Sequence, residues 1–353
     1  MKLSVPFIPD PSYEDFLMEH QHQLESLYFA LGTGPVLDAR IRLAATELEE
    51  LSTRLAPFSI KKYALLNARF IHPDAYHDHD CLNQILMGLQ LLKDHCDIAG
   101  IVFSDAYLLS ALASQNKEII FGLEAVPGIN CMLDTAEKAD AMIQLIKGTG
   151  FLLPGKLIAD RSLNRDGNAL IHFSEALKTR YRGIKIEVLA NEGCIYACPF
   201  KLAHDAQISF ANLEHQSNRT FAINQSFGCH RYFFDRPEQI FKSPFIRPED
   251  MDACSKAADS IKLCGRTLGT AFLIRCINAY LAKDFSGNLL DLMDAAHWLS
   301  NLYHISNKRL DPGFWNMVTQ CKKHCETCGQ CLELFQKTAT RKPLEIKTYK
   351  DIQ

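Results

Sequence analysis

No segment of this sequence is long and apolar enough to span a bilayer. The most apolar late stretch, "TAFLIRCINAYLA", is broken by Arg275 and falls short of the ~20 residues a crossing helix needs. Nor is there an excess of positive charge. With 38 Lys and Arg against 41 Asp and Glu, the formal net charge is -3. A nucleic-acid backbone is therefore disfavoured as the main partner, because phosphates demand a basic surface, although a local basic groove stays open. The first residues, "MKLSVPFIPDPSYEDF", lack the positive start, apolar core and small-residue cleavage site of a secretory signal, so a cytoplasmic location is expected. No glycine-rich phosphate loop follows an early strand, which argues against a dinucleotide-binding fold, and there is no HExxH helix or GxSxG elbow for a zinc or serine hydrolase.

What is present is an alternation. Short apolar runs, "KLSVPFI", "SLYFAL", "KYALLNA", "GIVFSD", "IIFGLEA", "GFLLPG", "IKIEVLAN" and "SIKLCGR", are separated by amphipathic helical patterns. Apolar strands in such an alternation imply a parallel sheet covered by helices. Eight units predict a closed (β/α)₈ TIM-like barrel over residues 1–284. Residues 195–250 form a polar and aromatic insertion between the seventh and eighth strands. Residues 285–353 form a helical extension ending in a cysteine-rich tail.

In a barrel of this class the loops after the strands build the site. The polar residues expected there are Asn67, Ser104, Asp105, Glu124, Arg161, Arg165, Asn191, Glu192 and Arg266, though Ser104 or Asp105 could equally cap a helix. Asn67, Arg161, Asn191 and Arg266 are the candidate catalytic residues. A guanidinium at a barrel mouth can clamp a carboxylate or phosphate in two-pronged fashion, so Asn67, Arg161 and Arg266 would position an anionic substrate.

The thirteen cysteines are unlikely material for disulfides in a reducing compartment. Cys81, Cys96, Cys131 and Cys276 stand alone, as packed thiols do. Cys194 and Cys198 of "NEGCIYACPFKLAH" follow the seventh strand, Cys264 lies in the eighth, and Cys229 and Cys254 fall in the insertion. Thiols distant in sequence thus meet at one rim, as a metal centre requires. Structural zinc favours two CxxC-like knuckles. One CxxxC joined by scattered cysteines suits a 4Fe–4S cluster held by Cys194, Cys198, Cys229 and Cys264, with Cys254 the alternative fourth ligand. Three thiolates with one open iron would also serve. The tail, "CKKHCETCGQC", groups Cys321, Cys325, Cys328 and Cys331 as a second cluster or a zinc knuckle. In "HPDAYHDHDC" the histidines His72, His77 and His79 with Asp74, Asp78 and Asp80 could ligate a metal or simply make a polar loop. His204 could orient a group at the site or pack.

"NEGCIYACPFKLAH", "SPFIRPED" and "SIKLCGRTLGTAFLIRCINAYL" together resemble the collagenase-like peptidase family, U thirty-two, over about residues 1–290. The matching positions are Asn191, Gly193, Cys194, Cys198, Glu249, Asp250, Lys262, Gly265 and Arg266. The resemblance implies a TIM-like barrel and, in several members, a four-cysteine 4Fe–4S cluster. It also implies oxygen-independent hydroxylation of tRNA, rRNA or quinone precursors, with protease activity ascribed to other members. The sequence departs from the pattern in lacking paired cysteines before the CxxxC and in carrying the extra tail. The resulting expectation is an iron–sulfur enzyme modifying an RNA or a small biosynthetic intermediate, fed by an electron donor or partner subunit. A non-catalytic partner that relays electrons and a metal-free peptidase are the alternatives.

Overall fold

The computed structural model describes residues 1–32, 35, 37–40, 46–214 and 218–343, of which 218–221 are described by backbone alone. The end of the expected 285–353 extension lies outside these residues.

Eight strands, β1 (Lys2–Pro6), β2 (Leu24–Ala30), β3 (Lys61–Leu66), β4 (Gly100–Phe103), β5 (Glu124–Pro127), β6 (Lys156–Ile158), β7 (Lys185–Leu189) and β8 (Ser260–Lys262), make one sheet. Its order is β5-β4-β3-β2-β1-β8-β7-β6, and every pair is parallel. The two edges meet through Leu152, just before β6, which bridges Glu124 and accepts the Ala125 N–H at 3.2 Å. The expected (β/α)₈ barrel is thus present and nearly closed.

Between the strands lie α1 (Pro11–His20), α2 (Leu48–Leu55), α3 (His79–Cys96), α4 (Ala106–Gln115), α5 (Lys117–Ile120), α6 (Ala136–Thr149) and α7 (Gly167–Arg180). Their apolar faces pack on the outward residues of the strands, among them Leu3, Leu27, Ile101, Leu157, Ile186 and Ile261. No helix is long and apolar enough to cross a membrane among the described residues.

Two expected strands sit elsewhere. "IIFGLEA" begins as α5, because the Asn116 side chain caps Glu118 and Ile119 and Gly122, at φ +85°, turns the chain. The strand starts only at Glu124. In "GFLLPG" the apolar Leu152 and Leu153 are loop residues, 45% and 43% exposed, and β6 follows them. Glu124 therefore stands at the N-terminal end of β5, bonded to Lys61 at 2.6 Å and Tyr63 at 3.0 Å. That is the end of the barrel opposite the one where the sequence placed it.

The barrel interior is split. Tyr28, Tyr63, Leu65, Val102, Val126 and Ile158 make an apolar half. On the other side Ser4, Ser26, Lys156, Glu187, Ser260 and Lys262 are buried and polar.

The insertion carries α8 (Lys201–Leu213), α9 (Asn218–Ser226), α10 (Cys229–Asp235) and α11 (Met251–Cys254). After β8 come α12 (Thr270–Ala282), α13 (Phe314–Thr319), α14 (Gln330–Thr338) and the small antiparallel pair β9 (Tyr303–Ile305) and β10 (Ala339–Arg341). Insertion and extension share one core: Phe233, Ile240, Phe241 and Phe245 pack with Leu290, Leu299, Leu310 and Phe314. They behave as one cap on the barrel mouth.

Candidate functional site

The segment after β7 enters the mouth and is pinned there. Asn191, 1% exposed, donates from Nδ2 to the carbonyls of Cys264 and Leu292 at 3.0 and 3.1 Å and accepts the Cys264 N–H at 2.7 Å. Asn191, expected among the catalytic residues, thus uses its amide to tie β7, β8 and the cap together. The extension closes over it: the N–H groups of Asp294 and Ala295 donate to the carbonyls of Asn191 and Glu192 at 2.9 and 2.7 Å. Gly193 is at φ +76°, and a Cβ there would come within 3.1 Å of the Met293 and Ala296 side chains. Only glycine suits both the turn and the close approach.

Charge gathers around this segment. Glu192 is buried, with its carboxylate 2.7 Å from Arg161 and 3.9 Å from Arg40, and Arg40 also meets Asp294 at 2.8 Å. Burial alone would raise the Glu192 carboxyl, but Arg161, Lys201 and Arg40 hold it below its ordinary value. Arg266 pairs with Asp38. Lys201, at the start of α8, pairs with Asp205 at 2.5 Å and donates to Asn130 at 3.1 Å. Among the described residues Arg161 Nε and Arg266 Nη1 are buried without a hydrogen-bond partner. Unmatched buried guanidinium donors are what an anionic ligand would satisfy.

Arg161 and Arg266 therefore lie at the mouth, as expected. Asn67 acts as a local support, accepting the Ala39 N–H at 3.0 Å. Arg165 points away and donates to the Phe241 carbonyl at 2.6 Å. Asp105 caps α4 and receives the Tyr76 hydroxyl. Arg40, Asp38, Lys201, Asp205 and Asp294 were not expected. Asp294 sits in a run, "LDLMDAAHWL", that reads like any amphipathic helix, so nothing in its pattern marked it.

The thiols lie beside these charges. Cys194 lies close to Glu192. Burial and then Glu192 push its thiol well above the ordinary range, against Arg161 and Lys201. Burial raises Cys198, while burial and the nearby Cys198 take Cys229 to about 11. Cys264 is held at 3.3 Å from Asn191 Oδ1, close to Asp294, Glu192 and Arg40. Cys254 is 1% exposed within the outer apolar layer, so the mouth has Cys264 and not Cys254. Among the described residues no three His, Cys, Asp or Glu side chains converge on one point as single-ion ligands do. Cys194, Cys198, Cys229 and Cys264 are all free of disulfides, the state in which thiols can ligate zinc or an iron–sulfur group.

Other expected candidates have local roles. Asp78 and His72 cap α3 and the turn at Pro73–Tyr76, and His79 bonds Gln115 at 2.7 Å. His204 is half-buried, and burial with Lys201 takes it down to about 4.

No family model matches the chain. A protein of Methanocaldococcus jannaschii named as an uncharacterized protease is 30% identical over 247 residues, covering 68% of this chain and 66% of that protein, about two thirds of each. Among solved structures, the U32 peptidase Mk0906 is similar over 75% of this chain and 93% of its own, at 14% identity and a TM-score of 0.48. An Anoxybacillus α-amylase is similar over 90% and 77%, at 8% identity and a TM-score of 0.37. By its archaeal relative and its barrel, the chain belongs to the U32 peptidase-like family.

Proposed function

We propose that this protein is an iron–sulfur-dependent modifying enzyme acting by redox chemistry, with oxygen-independent hydroxylation the reaction type, on an anionic RNA segment or small biosynthetic intermediate. The observation that carries the proposal is the adjacency of Cys194 to Arg161 and Glu192, with guanidinium donors of Arg161 and Arg266 left unmatched among the described residues. Cys194, Cys198 and Cys229 are the ligands this geometry supports best, with Cys264 as the fourth or as a neighbour of an open iron. A bound cluster would supply one-electron transfer. The chain itself does the rest: Arg161 and Arg266 hold the anionic part of the substrate, Glu192 and Asp294 fix Arg161 and Arg40, and the cap excludes water from the mouth. A cytoplasmic setting, with thirteen free thiols, an external electron donor for the cluster, and an oxygen-atom donor other than O2 that gives its oxygen to the substrate and leaves reduced by two electrons complete the reading.

The relative's name raises a peptidase as the second reading. A cysteine peptidase needs a thiolate paired with a protonated histidine. Here burial favours the neutral thiol at Cys194 and the neutral ring at His204, opposite to that requirement.

Iron and sulfide content of protein purified without oxygen tests the proposal. Cys198→Ser is expected to lose about four iron per chain while its circular dichroism stays that of the wild type. Unchanged iron in this variant sinks the cluster assignment, and casein cleavage by metal-free protein would favour the peptidase.

A further inference from the structure

The tail cysteines gather around a cavity of their own. Cys321, Cys325, Cys328 and Cys331 all line one space of about 200 Å³, together with Arg165, Tyr196, Lys242, Lys323 and His324. We infer that these four thiols hold a second 4Fe–4S centre, set between the extension and the Cys194–Cys198 loop and distinct from the group at the barrel mouth.

Three observations support this. First, the size is wrong for zinc. Four thiolates about 2.3 Å from one ion sit roughly 3.8 Å apart and leave no void between them, whereas here the four cysteines line an open space and no three metal-ligating side chains converge on a point among the described residues. Second, the wall is cationic. A 4Fe–4S core with four thiolates carries roughly two net negative charges, and Arg165, Lys242 and Lys323 face it. Asp166 offsets part of that charge, 2.9 Å from Lys323. Third, the two cysteine loops turn alike. Lys323, between Cys321 and Cys325, is at φ +61° without being glycine, as Ala197 is at φ +46° between Cys194 and Cys198.

The position gives the centre a use. Tyr196 belongs to the loop between Cys194 and Cys198 and also walls the tail cavity, and Lys323 lies 5.7 Å over its ring. Cys325 and Cys328 are exposed, so the outer side of the cavity is open to a soluble reductant.

The test uses the full chain purified without oxygen, comparing wild type, Cys198→Ser and the double variant Cys325→Ser/Cys328→Ser by iron, sulfide and zinc content. Because both tail positions are exposed, their replacement leaves the cap core intact. The double variant is expected to lose about four iron per chain and keep the iron that Cys198→Ser removes. If Cys198→Ser changes nothing and the double variant loses iron, the mouth assignment falls and the tail centre stands. Unchanged iron in the double variant, or one zinc per wild-type chain lost with these cysteines, overturns the tail centre. Lys242→Gln leaves all four thiols in place and removes one facing cation, so the midpoint potential of the tail signal, read by paramagnetic resonance, is expected to fall. A potential equal to wild type overturns the placement of the centre in this cavity.

Discussion

Replacing Glu187 by Ala is expected to remove about 3–5 kcal/mol of folding stability, the usual result of breaking one partner out of a buried ion pair. Glu187 is fully buried inside the barrel, 2.9 Å from Lys156, and it accepts from Ser4 and from Ser260 at 3.3 Å. Lys156 also donates to Ser4 and Ser26, at 2.9 and 2.8 Å. Burial would raise the Glu187 carboxyl, and Lys156 with Lys262 reverses this and holds it below its ordinary value. Without the carboxylate two amines face a closed interior with no counter-charge. Chemical denaturation of the variant against wild type measures the loss, and a difference under about 1 kcal/mol would show that water reaches this layer.

The same layer sets a pH dependence. One carboxylate cannot neutralise two ammonium groups. Burial takes Lys262 down from its ordinary 10.5 to about 7, with Glu187 pulling it back up. Below pH 7 the amine is charged in both folded and unfolded chains, and the folded chain bears the full burial cost. Between 7 and 10.5 the folded chain has released the proton while the unfolded chain keeps it, so this group makes stability rise with pH. Lys262→Met removes that rise. Its stability relative to wild type should be highest at or below neutrality and diminish toward pH 10, and a constant difference would refute the shifted amine.

The barrel was legible because its evidence is local. Alternating residues such as Leu3, Val5, Leu27 and Phe29 face the helical layer, and that spacing survives in any parallel sheet. The misplaced strands at "IIFGLEA" and "GFLLPG" share one misreading, apolar residues taken as strand: Asn116 capping and the Gly122 turn decide otherwise in the first, and in the second Leu152 and Leu153 stay exposed in the loop before β6. The site was half legible. Arg161, Glu192, Cys194 and Arg266 follow strands and could be collected by rule, whereas Arg40 and Asp294 reach the mouth through ion pairs across 254 residues of chain. No periodicity carries such a contact. The shared core of insertion and extension was hidden for the same reason, since Phe241 and Phe314 stack edge-on at 6.1 Å but each reads as an isolated aromatic.

Gly265→Ala should be the most damaging single methyl group added near the mouth. Gly265 sits at φ +120°, and a Cβ there would fall 2.1 Å from the Phe272 ring on α12. Two costs combine: roughly 1–3 kcal/mol for a side chain in that backbone region and roughly 1–3 kcal/mol for overpacking a filled position. Phe272 cannot simply swing aside, because it is 4% exposed and meets the His297 ring of the cap edge-on at 5.3 Å. The displacement would pass to Arg266, the next residue, and loosen its pair with Asp38. The expected loss is about 2–6 kcal/mol in unfolding experiments. Phe272→Ala separates the two contributions. Alone it should cost about 3–5 kcal/mol as a cavity, but added to Gly265→Ala it relieves the clash, so the double variant should be more stable than the sum of the singles. Strict additivity would mean that backbone strain, and not the ring, makes this position glycine. In that event the aim of Arg266 is set by the turn itself and not by the packing of α12.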